Sequence, residues 1–224
     1  MEKRSQRMER ILDLIYPPAL YCVCCGNYID ETRVYHLCDH CLSHIRWDGD
    51  PAREIRGMRT LRCCEYDIYS RSIIFSLKYK GRKYIAREVA EIMRDRLMQA
   101  GETFDRIVPV PLSERKEKQR GFNQAALIGK HLSALTGAGF LPDALRRIRD
   151  TKPMRGLSPS ERELNVEGCF AAAEEKELRG SIRGARILLL DDFTTTGATG
   201  RACAAELRNA GASDVLFLAF AAKF

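Results

Sequence analysis

The sequence predicts an α/β protein, a parallel sheet flanked by helices, preceded by a small N-terminal module built on cysteines. Three observations carry this expectation. Unbroken apolar runs at 187–190 (ILLL) and 215–222 suit strands covered on both faces. Strand-like runs alternate with segments of helical spacing, the order that yields a parallel sheet. Finally, Cys22-x2-Cys25 and Cys38-x2-Cys41 crowd into a segment too short to bury a core of its own. A chain of 224 residues holds one full core and a small appended module. The expected division is 1–56 for an N-terminal helix and ribbon, and 57–224 for the α/β domain.

Taken in order, Met8, Ile11, Leu12 and Ile15 have helical spacing before Pro17 and Pro18 stop the helix. The paired knuckles follow. Four thiolates at this spacing suit a tetrahedral Zn2+, and such a staple is what lets a short segment fold. Cys24, His36, His40 and His44 leave a set of three cysteines and one histidine open, but the expected ligands are Cys22, Cys25, Cys38 and Cys41. Four thiolates leave no open coordination position, so this zinc is expected to be structural. Between the knuckles, Asp30, Glu31, Arg33 and Asp39 make no phosphate-attracting face.

Beyond the ribbon, basic and aromatic residues interleave. Lys78, Tyr79, Lys80, Arg82 and Lys83 combine cations with a ring, the ingredients of sequence-tolerant single-stranded DNA binding. The plainer alternative is a strand with a basic outer face followed by a basic helix. Residues 61–79 read as a hairpin or a strand-turn-helix with Ile73, Ile74, Phe75 and Leu77 on the buried side. Residues 84–99 read as an amphipathic helix, apolar at Ile85, Val89, Ile92, Met93 and Leu97 and capped by Gly101. DRIVPVPL at 105–112 is expected to be the first strand of the core. The charged segment 113–125 has no core residues and is expected to be an exposed lid. A helix over 122–135, a short strand at 144–148, a second basic loop, a short helix capped by Ser158 or Ser160 with Glu161 in its first turn, and a strand at 166–173 complete the middle of the chain.

The stretch 186–199, RILLLDDFTTTGAT, is the chemical centre. A buried strand ends in two carboxylates and turns into a helix. Backbone N–H groups of 195–199 converge there, and small residues allow close approach of a phosphate. Asp191 and Asp192 would accept hydroxyl groups or face a bound Mg2+. The implied ligand is a phosphorylated sugar. The chain's GxxxxGK[ST] and GxGxxG patterns are both missing at this turn, so neither a nucleoside triphosphatase loop nor a dinucleotide fingerprint is supported.

This ordered run resembles the signature of type I phosphoribosyltransferases, whose loop binds 5-phosphoribosyl-1-pyrophosphate (PRPP). With the cysteine ribbon, Leu77-Lys78-Tyr79, Pro109-Val110-Pro111, Arg120-Gly121-Phe122-Asn123-Gln124, Glu161-Arg162 and Asn165, nearly the whole chain resembles the ComF family. These are bacterial cytoplasmic proteins with a zinc ribbon on a phosphoribosyltransferase domain, associated with competence and uptake of single-stranded DNA. The resemblance implies PRPP contacts from Asp191, Asp192, Thr194, Thr195, Thr196, Gly197, Ala198 and Thr199. It implies a pyrophosphate-side loop at Val110, Pro111 and Leu112, and a flexible loop carrying Arg115, Lys116, Lys118 and Arg120. Asp191, Asp192 and Arg120 are the residues expected to serve transfer with Mg2+. Met154 stands where the resemblance leads one to expect Gln.

The net charge of +7 accords with an anionic substrate or with nucleic acid. No apolar run reaches the roughly 18 residues of a membrane span, and a cytoplasmic protein is expected. Three functions follow: a phosphoribosyltransferase, a PRPP-binding protein that handles single-stranded DNA, or an adaptor that senses PRPP and docks other competence proteins.

Overall fold

A computed structural model describes residues 20–30, 32–79, 82–149 and 158–223. The expected helix over 7–16, Glu31, Lys80 and Met154 lie outside them. In chain order the elements begin with a 3-10 turn, Val34–His36, and α1, Asp39–His44, of the ribbon. A hairpin, β1 (Arg53–Ile55) and β2 (Met58–Glu65), leads into α2 (Ile68–Tyr79) and α3 (Ile85–Gln99). Then come β3 (Arg106–Pro109), α4 (Glu114–Arg120), α5 (Gln124–Thr136), β4 (Gly139–Phe140) and β5 (Leu145–Arg147). The last third holds α6 (Pro159–Val166), β6 (Phe170–Ala172), α7 (Lys176–Ile182), β7 (Arg186–Thr194), α8 (Ala198–Asn209) and β8 (Asp214–Ala222).

The main sheet has the order β1-β2-β8-β7-β3-β4. Every pairing in it is parallel except the β1–β2 hairpin at its edge. This is the mixed α/β architecture that the alternation of runs predicts. The apolar runs form the middle: Ile187, Leu188, Leu189 and Leu190 on β7 are at most 1% exposed, and on β8 Val215 to Ala222 at most 3%. One face packs Ile73, Leu77, Val89, Ile128 and Leu132 against Leu188, Leu190, Leu218 and Phe220. The other packs Met58, Phe170, Ile182, Cys203 and Leu207 against Ile187, Leu189 and Phe217. Gly200 of α8 belongs to this second contact, since a Cβ there would stand 3.0 Å from the Phe217 ring.

Several expectations change. β2 is already a central-sheet strand, so β3 is not the first strand of the core. The hairpin β1–β2 spans the expected junction at 56/57. Of the side chains expected inside α2, Ile73, Ile74 and Leu77 are buried, but Phe75 is 47% exposed and lies against Tyr79. The lid segment folds as α4, a helix with no buried residue. The strand expected at 166–173 begins only at Phe170, because the capping box of Ser158 and Glu161 starts a helix that runs through Val166. β5 and β6 form a separate antiparallel pair, an arrangement that no local pattern announces.

The ribbon does not stand apart. Cys22, Val23, Leu37 and Cys41 are buried in the same cluster as α2 and α3. Tyr35 Oη donates to Asp95 Oδ2 (2.8 Å), His36 Nδ1 lies 2.9 Å from the buried Glu88, and Ser72 Oγ donates to the Cys24 carbonyl (2.6 Å). Among the described residues no helix is long and apolar enough to cross a membrane.

Candidate functional site: a polar cavity and a four-cysteine cluster

At the carboxyl ends of β3 and β7 lies a cavity of about 530 Å³, where open α/β sheets place their ligands. Its floor is the turn from β7 into α8. Gly197 has φ 73°, a left-handed conformation that glycine adopts without strain and that turns the chain into the helix. The N-terminus of α8 therefore opens on the cavity, with Thr194, Thr195, Thr196, Gly197, Ala198 and Thr199 all along its wall. Two arginines brace this turn. Arg162 Nη1 of α6 donates to Thr195 Oγ1 (2.9 Å), and Arg201 Nη1 of α8 donates to the Thr196 carbonyl (2.8 Å).

Asp191 and Asp192 stand just before the turn. The Asp192 N–H donates to Asp191 Oδ1 (2.8 Å), and Lys78 Nζ lies 2.7 Å from Asp192 Oδ2. Burial, then the neighbouring Asp192, pushes the Asp191 carboxyl well above the usual range, while Lys78 pulls it down. Val110, Pro111 and Leu112 line the side after β3, and Asn123 Nδ2 ties that segment to α5 by donating to the Val110 carbonyl (3.0 Å). The Asn123 Oδ1 also caps α5, accepting from Ala125 N (3.0 Å). From α4, Lys116 and Arg120 face the cavity. Lys116 is exposed by area, yet the protein around its ammonium takes away part of its water, and this, followed by Arg147, Arg120 and Lys78, lowers its pKa. A site this rich in cations suits a ligand with several negative charges.

The structure thus gathers most of the sequence-derived set: Asp191, Asp192, Thr194, Thr195, Thr196, Gly197, Ala198, Thr199, Val110, Pro111, Leu112, Lys116 and Arg120. Arg115 and Lys118 fall outside, and Lys118 pairs instead with Glu114 on the exposed side of α4 (3.4 Å). Of the residues expected to form a nucleic-acid patch, Lys78 turns inward to Asp192, whereas Tyr79 is 58% exposed and stacks under Arg120 at 5.2 Å. Arg82 and Lys83 lie at the surface next to α3, and Lys83 is over the Phe122 ring at 5.4 Å. Sequence reasoning missed Gln124, Arg147 and Arg162 as cavity residues. Gln124 is 3% exposed with its amide nitrogen unpartnered. Its place directly after Asn123 in the quoted RGFNQ run was the available signal.

The second centre is the ribbon. The Sγ atoms of Cys22, Cys25, Cys38 and Cys41 all lie within 4.8 Å of one another. Tetrahedral zinc thiolates place sulfurs about 3.8 Å apart, from Zn–S bonds of about 2.3 Å. Cys25 and Cys38 are at 3.7 Å, so the set fits zinc. Cys22 Sγ accepts from Cys38 N (3.4 Å) and Cys38 Sγ from Cys41 N (3.5 Å). Burial raises the Cys22 thiol, but N–H groups of Cys25, Cys38 and Cys24 outweigh it and bring the pKa down to about 7, favouring the thiolate a metal needs. The alternative ligands are engaged elsewhere. Cys24, pushed up to about 12 by burial, donates to the Tyr69 carbonyl, His36 meets Glu88, and His40 and His44 stack on each other beside Tyr69.

No protein-family model matches the chain. The chain is similar to Competence protein F of Haemophilus influenzae, 25% identical over 201 residues that cover 85% of this chain and 86% of the relative. It is also similar to the DNA utilization protein YhgH of Salmonella typhi, 30% identical over 148 residues covering 64% of this chain and 63% of that protein, less than two thirds of its length. Among solved structures, the glutamine phosphoribosylpyrophosphate (PRPP) amidotransferase of B. subtilis complexed with ADP and GMP aligns with a TM-score of 0.39 and 22% identity, over 59% of this chain and 26% of that one. A likeness of that size carries no functional inference.

Proposed function

This chain is a member of the ComF family, and we propose that its cavity binds Mg-PRPP and that the protein acts in the handling of incoming DNA. The observation that supports the reading most strongly is the acid pair directly before a helix N-terminus in a cavity that Lys116 and Arg120 of α4 also line. It matches the three parts of PRPP. The amides at the start of α8 suit the 5-phosphate, Asp191 and Asp192 suit the ribose hydroxyls, and Lys116 and Arg120 suit the pyrophosphate. Mg2+ would neutralise pyrophosphate charge beside the same carboxylates.

In a transfer reaction an acceptor nucleophile forms a bond to the anomeric carbon as the bond from that carbon to pyrophosphate oxygen breaks. The chain's own contribution would be to orient the ribose through the acids and screen the leaving group through Lys116 and Arg120 of α4, which line the cavity. Zinc in the four-thiolate cluster would be structural, since a closed set has no site for substrate. The names of the relatives, Competence protein F and DNA utilization protein, support the assignment to DNA handling.

Mg-PRPP at about 100 times its dissociation constant should stabilise the protein by about 2.7 kcal/mol, whereas ribose 5-phosphate or pyrophosphate alone should do less. Thermal unfolding with each ligand tests this, and equal or absent stabilisation by all three would refute it.

A second reading is supported by exposed rings and cations on and near α2 and α4. Phe75, Tyr79 and Arg120 form a stack, and Lys83 with Phe122 forms another cation–ring pair near the start of α3. Exposed rings beside cations suit single-stranded DNA. Lys83→Glu with Arg82→Glu should weaken salt-sensitive DNA binding while leaving PRPP binding intact. Unchanged DNA binding would remove this reading.

A further inference from the structure

One part of the cavity wall is aromatic, and phosphates and hydroxyl groups do not account for it. β2, β8 and β7 lie side by side and parallel, with Glu65 paired to Ala222 and Ala222 to Thr194 at their carboxyl ends. The side chains presented there are Tyr66, Phe193 and Lys223, and all three line the cavity together with Asp191 and Asp192. Main-chain bonds fix this row. The Tyr66 N–H donates to the Ala222 carbonyl (2.8 Å), and the Lys223 N–H donates to the Thr194 carbonyl (3.3 Å).

The Tyr66 and Phe193 ring centroids are 4.1 Å apart with their planes at 37°. Both residues are half-buried: they pack on the core and keep part of their surface on the cavity. Lys223 is exposed, with Nζ 5.3 Å from the centre of the Tyr66 ring, within the range of a cation–π contact. A flat π-system gains more from such rings than a phosphate or a hydroxyl group does. An ammonium has three donors and no acceptor, so beside it a ring with an oxo group is favoured over one with an amino group in the same place. Phe193 follows Asp192 directly in the chain, which sets the aromatic wall next to the acids that suit a ribose.

We propose that Tyr66, Phe193 and Lys223 form a subsite for an oxo-bearing nucleobase, which makes a flat nitrogen heterocycle the acceptor class of this cavity. The subsite rests on the PRPP reading for the ribose and phosphate beside it. As acceptor, a ring nitrogen would use its electron pair to bond to the anomeric carbon. The bond from that carbon to pyrophosphate would break with its electrons leaving on pyrophosphate, and the ring N–H proton would pass to water.

The test uses the full zinc-loaded chain and calorimetric titration of ribose 5-phosphate, of inosine and uridine 5′-monophosphates, and of their amino counterparts, adenosine and cytidine 5′-monophosphates. Wild type should bind the inosine or the uridine nucleotide about tenfold or more tighter than ribose 5-phosphate. It should prefer that nucleotide to its amino counterpart by about threefold or more. Tyr66→Leu should bring the first ratio close to one. Lys223→Met should remove the second, and Lys223→Arg should keep it. Because Lys223 is exposed, its variants decide the matter even where Tyr66→Leu fails to fold.

Such a ring could be a free base or a base of single-stranded DNA. Displacement of the bound nucleotide by hypoxanthine or uracil, or by a short oligothymidylate, supports the subsite and identifies the source. Displacement by the strand alone would strike out the transfer, because a base in a strand already uses its glycosidic nitrogen. If no base improves on ribose 5-phosphate, or if the variants leave both ratios unchanged, the subsite is overturned, and Mg-PRPP binding would still leave the PRPP reading in place. Nucleotide binding with both ratios as stated, in a chain that takes no Mg-PRPP, would remove the PRPP reading and leave the base subsite standing.

Discussion

The ribbon and the cavity are built on opposite plans. In the ribbon four like side chains from about twenty residues converge on one point, their other candidate partners turned away to Tyr69 and Glu88. In the cavity unlike side chains arrive from α2, α4, β5, α6 and β7, and one buried amide is left without a partner. The first is a closed set of four thiols with the spacing to hold one metal ion. The second is an open set of charged and polar groups of both signs around a cavity. A four-thiolate centre contributes to folding, while an end-of-sheet cavity with excess cations contributes to binding.

The contrast is broken most severely by stripping the metal. Zinc is expected at one per chain, and structural sites of this kind hold about 10 kcal/mol or more of apparent binding free energy. Because Val23, Leu37 and Cys41 share a core with α2 and α3, chelation should loosen those helices too. Hydrogen exchange would show it, with protection falling across 20–47 and in α2 and α3, while β7 and β8 keep theirs. Loss confined to the ribbon would mean that the shared core does not couple the two.

A smaller effect is expected at the floor of the cavity. Gly200→Ala would press a methyl group against three atoms of the Phe217 ring at 3.0 to 3.1 Å, an overpacking that costs about 1–3 kcal/mol. Chemical denaturation should show the loss, and zinc content should not change. Full stability in the variant would mean that α8 shifts freely on β8, which the buried Phe217 argues against.

The smallest change sharpens the comparison within the cavity itself. Arg162→Gln removes the guanidinium that braces Thr195 at the cavity wall. Mg-PRPP affinity should drop about tenfold with little change in unfolding midpoint. A drop in stability with unchanged affinity would make Arg162 a packing residue alone.

The same contrast explains what could be read in the sequence. The clustered cysteines lie at local spacings, so Cys22-x2-Cys25 and Cys38-x2-Cys41 were legible directly, and the turn from β7 into α8 was legible because strand, acids, threonines and glycine are contiguous. Arg147 and Arg162 were not, since β5 and α6 reach the cavity only through the antiparallel β5–β6 pair and the packing of α6 near α8. Lys78 was read as an outward cation because composition shows basic and aromatic residues interleaved but not which side of a helix meets a strand end. Phe75 misled for the converse reason. The apolar run of 73–77 put it on the buried side with Ile74, yet the face it occupies lies outside the core and holds the Tyr79 ring. α4 looked like loop because an amphipathic stripe is the usual sign of a helix, and its seven residues carry none.

The most direct test of the central claim is calorimetric titration of Mg-PRPP into the zinc-loaded wild type and into the double variant Asp191→Ala, Asp192→Ala. Saturable binding to wild type and a loss of about a hundredfold or more in a variant that keeps its fold would locate the ligand at the acid pair. Equal binding by both proteins, or none by the wild type, would contradict the assignment of this cavity to PRPP.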